Sequence, residues 1–306
     1  MIIDLPDTST DLIANKLVSI REEGGAITLG RVLTLLIAVE SETVLNDSVT
    51  AANAASHEHP CRVIVTVPVP APGQSTPKPR LDAQIRVGGD AGTNEVVLLR
   101  LSGPLRRHAG SVVTPFLLPD TPVVTWWPEK APSNPAADPL GMLAIRRITD
   151  ATNSADPRRA IRSRRRGYTP GDTDLAWSRI TYWRALLAAA IDQSPQQPIT
   201  SAMVSGLKTE PGLDLLAGWL ASRISGRVTR TEGELKVELH QGQDTISLSR
   251  PQNGVTATLS RTGSPDALLP LPRRDTRDCL AEEMRHLYSD AIYHESLGGL
   301  SKVRYG

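Results

Sequence analysis

An apolar stretch interrupted by prolines, PFLLPDTPVVTWWP at residues 115–128, constrains the fold more than any other segment of the chain. Each proline fixes its own φ and lacks a backbone N–H donor, so a helix cannot run through the stretch. The apolar residues after Pro122 therefore predict a buried strand at Val123–Trp127, entered through a tight Pro-Asp-Thr-Pro connection. Because neighbouring side chains of a strand point to opposite faces, Trp126 and Trp127 cannot share one core face.

The segments before this strand predict a parallel α/β arrangement. Residues 32–39 (VLTLLIAV) form an almost continuous apolar run, which is typical of a strand buried on both faces. A helix over residues 43–56 and a strand over residues 61–67 follow, so the three segments predict a βαβ unit. Two alternating strands, at residues 81–87 and 95–101, complete an α/β domain with a mixed sheet.

A glycine-rich turn, GGDAG at residues 88–92, separates those two alternating strands. A phosphate-binding loop would need the turn to lead from a strand into a helix, and neither a G-x-G-x-x-G nor a Walker pattern is present. The prediction is therefore a β-hairpin.

The second half of the chain predicts a different architecture. A short helix is expected over residues 138–147, since Pro139 is favoured in a first helical turn. Periodic apolar residues predict helices over residues 172–192, 211–225 and 275–293. Short runs at hairpin spacing predict an antiparallel meander at residues 228–231, 234–240, 245–249 and 255–260. The fold class is α/β, with an N-terminal α/β domain at 1–168 and a C-terminal α+β domain at 169–306.

Charge and cysteine content limit the classes of partner. The 306 residues contain 34 Lys and Arg against 33 Asp and Glu, a net charge of +1. This balance gives no field that attracts nucleic acid, and no stretch approaches the roughly 20 apolar residues of a membrane span. The only two cysteines, Cys61 and Cys279, lie in separate halves, which favours a reducing compartment. We expect a cytoplasmic protein with neither a nucleic-acid nor a membrane partner.

The sequence contains no recognisable catalytic motif. It lacks G-x-S-x-G and H-E-x-x-H, and His57, His59 and Cys61 have no fourth ligand nearby to complete a metal site. Residues 158–166 carry six arginines, which indicate either a phosphate or acidic-partner patch or, as we favour, a solvated helix face. The prediction is a non-enzymatic binding protein without catalytic residues, metal or cofactor.

Several long segments carry a family resemblance through their sequence and their order. They are EEGGAITLGRVLTLLI (22–37), HPCRVIV (59–65), RLDAQIRVGGDAG (80–92), LLPDTPVVTWWP (117–128), DPLGMLAIRRITDA (138–151) and YTPGDTDLAWSRITYWRALLAAA (168–190). Together they resemble the OpcA family of glucose-6-phosphate dehydrogenase assembly proteins in its actinobacterial form. The resemblance implies a non-catalytic partner of glucose-6-phosphate dehydrogenase. Such a protein promotes the active oligomer or raises substrate affinity, and so controls NADPH supply through the oxidative pentose phosphate pathway.

Two functional hypotheses remain open from the sequence. The first is this assembly factor and allosteric activator, which acts through protein–protein interaction. The alternative is a sugar-phosphate or nucleotide binding enzyme or sensor that uses the N-terminal α/β domain. Because interface hot spots favour Trp, Tyr and Arg, we place partner binding near the domain junction. The predicted partner-binding residues are Trp126, Trp127, Arg146, Arg147, Trp177 and Tyr182.

Overall fold

The computed structural model describes residues 1–23, 32–70, 78–88, 95–193 and 197–306. These residues form two compact units, and each unit is built from two pieces of the chain. The first comprises Met1–Thr149 and Thr276–Ser289, and the second comprises Asp150–Asp275 and Asp290–Gly306. The division into domains at 1–168 and 169–306 stays a prediction about which segments fold independently.

The described residues form strands and α-helices, which alternate in some stretches and follow one another as runs of strands in others. In chain order, the described strands are β1 (Ile2–Leu5), β2 (Leu33–Ala38), β3 (Cys61–Pro68), β4 (Arg80–Val87), β5 (Glu95–Ser102), β6 (Val123–Trp127), β7 (Arg146–Thr149), β8 (Asp172–Asp174), β9 (Ser201–Ser205), β10 (Arg227–Thr231), β11 (Lys236–Gln241), β12 (Asp244–Ser249), β13 (Thr256–Arg261), β14 (Ser264–Pro270) and β15 (Val303–Tyr305). The described α-helices are α1 (Thr10–Glu23), α2 (Glu42–Ala55), α3 (Ala109–Val113), α4 (Pro157–Gly167), α5 (Leu175–Arg179), α6 (Thr181–Asp192), α7 (Pro211–Arg223), α8 (Thr276–Arg285) and α9 (Ala291–Gly299). No helix in these ranges is both long and apolar enough to cross a membrane.

The first unit is built on a mixed sheet with the strand order β1-β4-β5-β3-β2-β6-β7. The neighbours from β5 to β7 pair in parallel, whereas β4 runs antiparallel to both β1 and β5. This arrangement confirms the predicted α/β fold and the βαβ unit formed by β2, α2 and β3. The antiparallel pairing of β4 with β5 agrees with a hairpin, although the turn at residues 89–94 lies outside the described residues.

The predicted strand at Val123–Trp127 is β6, which pairs in parallel with β2 and β7. All five of its residues are buried, because the sheet is covered on both faces. Trp127 packs in a cluster with Phe116 and Leu140 on one face, while Trp126 points to the other. The hydroxyl of Thr125 donates to the carbonyl of Leu140 at 3.1 Å, so the connection after β6 is tied back to the strand.

The predicted helix over residues 138–147 is wrong. The segment instead forms a single 3₁₀ turn at Gly141–Leu143 and then the strand β7. The turn packs closely, since a Cβ atom at Gly141 would lie 1.8 Å from the carbonyl oxygen of Pro135. Beside β6 the backbone gains more from ladder hydrogen bonds than from a short isolated helix, which is marginal by itself.

The second unit contains a sheet with the order β14-β13-β12-β11-β9-β10-β15. The strands from β11 to β14 pair antiparallel in succession, which confirms the last three runs of the predicted meander. The first run, residues 228–231, was wrongly joined to them, because β11 pairs with β9 and β10 lies on the other side of β9. β9 and β10 pair in parallel, as do β10 and β15. β14 was not expected, because Pro265 and Pro270 weaken a strand prediction. Both prolines are compatible with its position at the edge of the sheet.

Two predicted long helices are interrupted, one at a residue that leaves the helical conformation and the other before a side-chain cap. The helix expected over residues 172–192 is instead β8, α5 and α6, with Asp174 accepting a hydrogen bond from the Ala176 amide at 3.0 Å. Between α5 and α6, Ile180 leaves the helical conformation, with φ −100° and ψ 8°. The helix expected over residues 275–293 ends with α8, and α9 starts anew where Asp290 accepts from the amides of Ile292 and Tyr293. A carboxylate in this position satisfies amides that a continuous helix would pair with carbonyls.

A buried ion-pair cluster joins α4, α7, β10 and β15 in the second unit. Asp214, in the first turn of α7, lies 3.1 Å from Nε of Arg158 and 4.0 Å from Nε of Arg230. Burial raises the pKa of Asp214 despite the two arginines. Burial and the hydrogen bond to Asp214 raise the pKa of Tyr305, in β15, to about 12. The cluster ties the last strand of the chain to the start of α7.

We expect Asp214→Asn to destabilise the protein by about 3–5 kcal/mol, because it leaves two arginines without their counter-charge. Urea unfolding followed by circular dichroism measures this loss. Tyr305→Phe is the matched control, since it keeps both ion pairs and removes one hydrogen bond worth about 1–3 kcal/mol. Equal losses in the two variants would contradict the assignment of Asp214 as the centre of the cluster.

The raised pKa of Tyr305 also predicts a pH dependence. Below the usual tyrosine pKa of about 10, both folded and unfolded states carry the phenol proton, so the stabilising contribution is complete. As the pH rises from about 10 to about 12, the unfolded state loses this proton first, and that contribution to stability falls. The difference in unfolding free energy between wild type and Tyr305→Phe should therefore shrink as the pH rises from about 10 to about 12. A constant difference would show that Tyr305 titrates normally.

Candidate functional site

The residues that the sequence marked as possible metal ligands do not form a metal centre. Within the described ranges, no three His, Cys, Asp or Glu side chains are grouped as ligands. Cys61 is fully buried at the start of β3, and burial lowers the pKa of the nearby His59. The remaining candidates for a functional site are the six Trp, Tyr and Arg residues predicted to bind a partner, since these residue types dominate the energetics of protein interfaces.

Trp126 and Trp127 are interior residues of the first unit. Their side chains are 1% and 3% exposed, respectively. Their place at the end of β6 follows from the apolar run after Pro122, and coverage of both faces of the sheet buries both rings. Neither ring can contact a partner while β6 keeps this position.

Arg146 and Arg147 lie on β7 and are buried as well. The guanidinium of Arg146 pairs with Glu283 and donates to the carbonyl oxygen of Tyr288 at 2.8 Å. Arg147 donates to the carbonyl oxygen of Ala144 at 2.9 Å. A buried arginine requires such partners, and removing one of them leaves an uncompensated charge. The two arginines therefore hold β7 to the residues packed around it.

Trp177 is the centre of an aromatic cluster in the second unit. Its side chain is buried, and its indole Nε1 donates to the carboxylate of Asp290 at 2.7 Å. The guanidinium of Arg184 lies 3.6 Å from the ring centroid, and the ring of Tyr293 lies 5.8 Å away. Asp290 thus binds Trp177 and caps α9 with the same carboxylate. These contacts assign Trp177 to the core.

Tyr182 is the exposed member of the predicted set. It is the second residue of α6, where the buried Trp183 beside it faces the core, and Tyr182 itself is 47% exposed. The guanidinium of Arg274 lies 5.0 Å from the Tyr182 ring centroid and donates to the carbonyl oxygen of Ser178 at 2.7 Å. An aromatic ring and a guanidinium held at this distance attract each other and are common in interface hot spots. We call Tyr182 and Arg274 the Tyr182 patch.

The structure thus separates the six predicted partner-binding residues by burial. Five are interior side chains with their own structural roles, and Tyr182 is the one that a partner reaches without rearrangement of a core. The assignment of partner binding stays a prediction. Arg274 was missed because nothing in the segment LPRRD at residues 271–275 points to α6. Only the tertiary structure brings it to Tyr182.

Two family models match the chain. One, described as the N-terminal domain of a glucose-6-phosphate dehydrogenase subunit, matches residues 52–166. The other, described as the C-terminal domain of that subunit, matches residues 170–297. No curated protein matches the chain significantly.

Similar solved structures are distant. The aldose-aldose oxidoreductase from Caulobacter crescentus complexed with glycerol has a TM-score of 0.43 at 10% identity, over 88% of this chain and 95% of that one. A structure described as trehalose-6-phosphate from E. coli bound with UDP-2-fluoro glucose has a TM-score of 0.27 at 9% identity, over 65% of this chain and 64% of that one. At these scores the likenesses carry no argument about function.

Stability measurements distinguish the core tryptophan from the Tyr182 patch. We expect Trp177→Ala to cost about 3–5 kcal/mol, because it opens a cavity and leaves Asp290 without the indole donor. Tyr182→Ala should cost less than about 1 kcal/mol, since half of the ring already contacts solvent. Urea unfolding of both variants measures the difference. A loss for Tyr182→Ala as large as that for Trp177→Ala would place Tyr182 in the core.

Proposed function

The chain belongs to the OpcA family of glucose-6-phosphate dehydrogenase subunits, and from this premise we propose that it is a non-catalytic assembly factor and allosteric activator of that dehydrogenase. It binds the enzyme in the cytoplasm and favours its active oligomer. In this way it supports NADPH production in the oxidative pentose phosphate pathway. The observation that carries the proposal is the match of both family models, in order, over residues 52–166 and 170–297.

The buried charges of both units support a non-catalytic role. Arg62 pairs with Glu95 at 2.7 Å, and Arg179 pairs with Asp150 at 2.8 Å. Asp214 is held by Arg158 in the cluster described above. General acids and bases need contact with a substrate, whereas each of these groups is committed to an ion pair inside a unit.

Thermodynamic linkage explains how a protein without catalytic groups can activate an enzyme that it binds. A subunit that binds the active form of an enzyme more tightly than the inactive form shifts the equilibrium by the difference in binding free energy. A coupling of about 1–3 kcal/mol changes the balance between the two forms by about 5- to 150-fold. The chain therefore needs a binding surface with differential affinity and no reacting group.

The proposal predicts a kinetic effect on the purified dehydrogenase. Adding the chain should lower the KM for glucose 6-phosphate or raise kcat, and the two proteins should elute together from a sizing column. The chain alone, without dehydrogenase, is the control for intrinsic activity and should reduce no NADP⁺. Unchanged kinetics together with separate elution would refute the proposal.

The Tyr182 patch predicts which surface makes the contact. We expect Tyr182→Ala to weaken activation by about tenfold or more in the concentration of chain required, as for a residue at an interface hot spot. Tyr288→Ala is the matched control, because Tyr288 is 90% exposed in the first unit and lies outside the patch. Titration of each variant against the dehydrogenase rate gives the two affinities. Equal effects of the two substitutions would remove Tyr182 from the interface.

A further inference from the structure

In the sheet of the first unit, the order in which successive strands are added reverses at β2. The chain passes from β2 through α2 to β3 on one side, and β6 later joins β2 on its other side. The connections that leave β2 and β6 therefore diverge above the carboxyl ends of these strands. Open α/β sheets bind their ligands in the crevice formed at such a point.

A cleft with a volume of about 880 Å³ lies at this place. Its floor is formed by the carboxyl ends of four parallel strands, through Ala38 of β2, Pro68 of β3, Leu101 of β5 and Trp127 of β6. Small-molecule sites occupy about 300–1,000 Å³, so the cleft is large enough for a nucleotide. A free phosphate would fill only a small part of it.

The rim of the cleft is rich in cations. Arg106 and Arg107 follow β5, and Lys130 follows β6. Two carboxylates also line the cleft. Asp138 already accepts the Leu140 amide at 2.9 Å, whereas the Glu40 side chain is exposed. Guanidinium and ammonium groups that converge on one cavity favour a phosphate ester.

Part of the cleft lining is apolar and closely packed. Pro139 and Leu140 belong to it, and the turn that carries them lies against α3. A Cβ atom at Gly110 would lie 2.8 Å from the carbonyl oxygen of Pro139, so glycine is what allows the two segments to approach. A lining that combines a preformed apolar surface with cationic groups suits a ligand with an organic part and a charged part.

We infer that this cleft binds an organic phosphate of nucleotide size, with the phosphates at Arg106, Arg107 and Lys130 and the organic part against Leu101, Pro139 and Leu140. This inference goes beyond the proposed function, because it gives the chain a small-molecule ligand of its own. It is tested on the chain alone, so its failure leaves the proposed effect on the dehydrogenase untouched.

Isothermal titration calorimetry of the full chain with ADP tests the ligand class. ADP should bind, and adenosine and inorganic phosphate should each bind at least about tenfold more weakly, since each lacks one half of the contacts. Titration with glucose 6-phosphate tests whether the cleft prefers a sugar phosphate, and this compound should bind more weakly than ADP. Tighter binding of glucose 6-phosphate, or no heat from ADP at millimolar concentration (about the weakest affinity worth assigning), would overturn the inference.

Matched variants locate the site. Arg106→Ala/Arg107→Ala and Lys130→Ala should each weaken ADP binding by about tenfold or more. The control is Arg165→Ala/Arg166→Ala, which removes two adjacent exposed arginines from α4 in the second unit and should leave the affinity unchanged. Loss of ADP binding in the control would place the ADP site at the arginines of α4 and contradict its assignment to the cleft.

Glu40→Gln tests the same assignment with a substitution that should strengthen ADP binding. Removing the exposed carboxylate from the rim should tighten ADP binding by about two- to fivefold, because a like charge near the phosphates is lost. A damaged fold cannot produce a gain of affinity. Unchanged or weaker binding in this variant, with thermal unfolding like that of wild type, would contradict the placement of the phosphates at the rim.

Discussion

The parallel pairing of β6 with β2 on one side and β7 on the other is the interaction on which the first unit depends. It places Trp126 and Trp127 in the interior on opposite faces and buries the arginines of β7. It also places β2 beside β6, and the chain continues from these two strands toward opposite edges of the sheet, to β3 and to β7. The position of the cleft, and therefore of the inferred ligand site, follows from the pairing of β6 with β2.

Much of this fold could be predicted because it depends on local patterns. The strand Val123–Trp127 was predicted with its observed boundaries, since prolines and a short apolar run determine it. The hairpins of β11, β12 and β13 followed from alternation and turn residues, whereas the parallel pairing of β10 with β9 did not, because a strand's partner is not a local property. The interrupted helices at Ile180 and Asp290 could not be predicted, because an apolar stripe continues through both breaks. What ends each helix is a specific conformation or cap, such as the Asp290 carboxylate on the amides of α9.

The candidate site was harder to predict than the fold, for a physical reason. Trp and Arg favour interfaces when exposed, but they also fill cores when a partner satisfies them, and a sequence does not reveal which condition holds. Trp177 and Arg146 belong to the second case, with Asp290 and Glu283 as their partners. The cations of the cleft come from two connections far apart in sequence. Only the order of strands in the sheet brings them together.

In the function that we propose, the chain acts on glucose-6-phosphate dehydrogenase through differential affinity for its active and inactive forms. Native mass spectrometry of the dehydrogenase, with and without the chain at equal protein concentration, tests this most directly. We expect a species that contains both proteins, together with a shift of the dehydrogenase toward its larger oligomer. An unchanged distribution of dehydrogenase masses with the chain present only as a separate species would contradict the account.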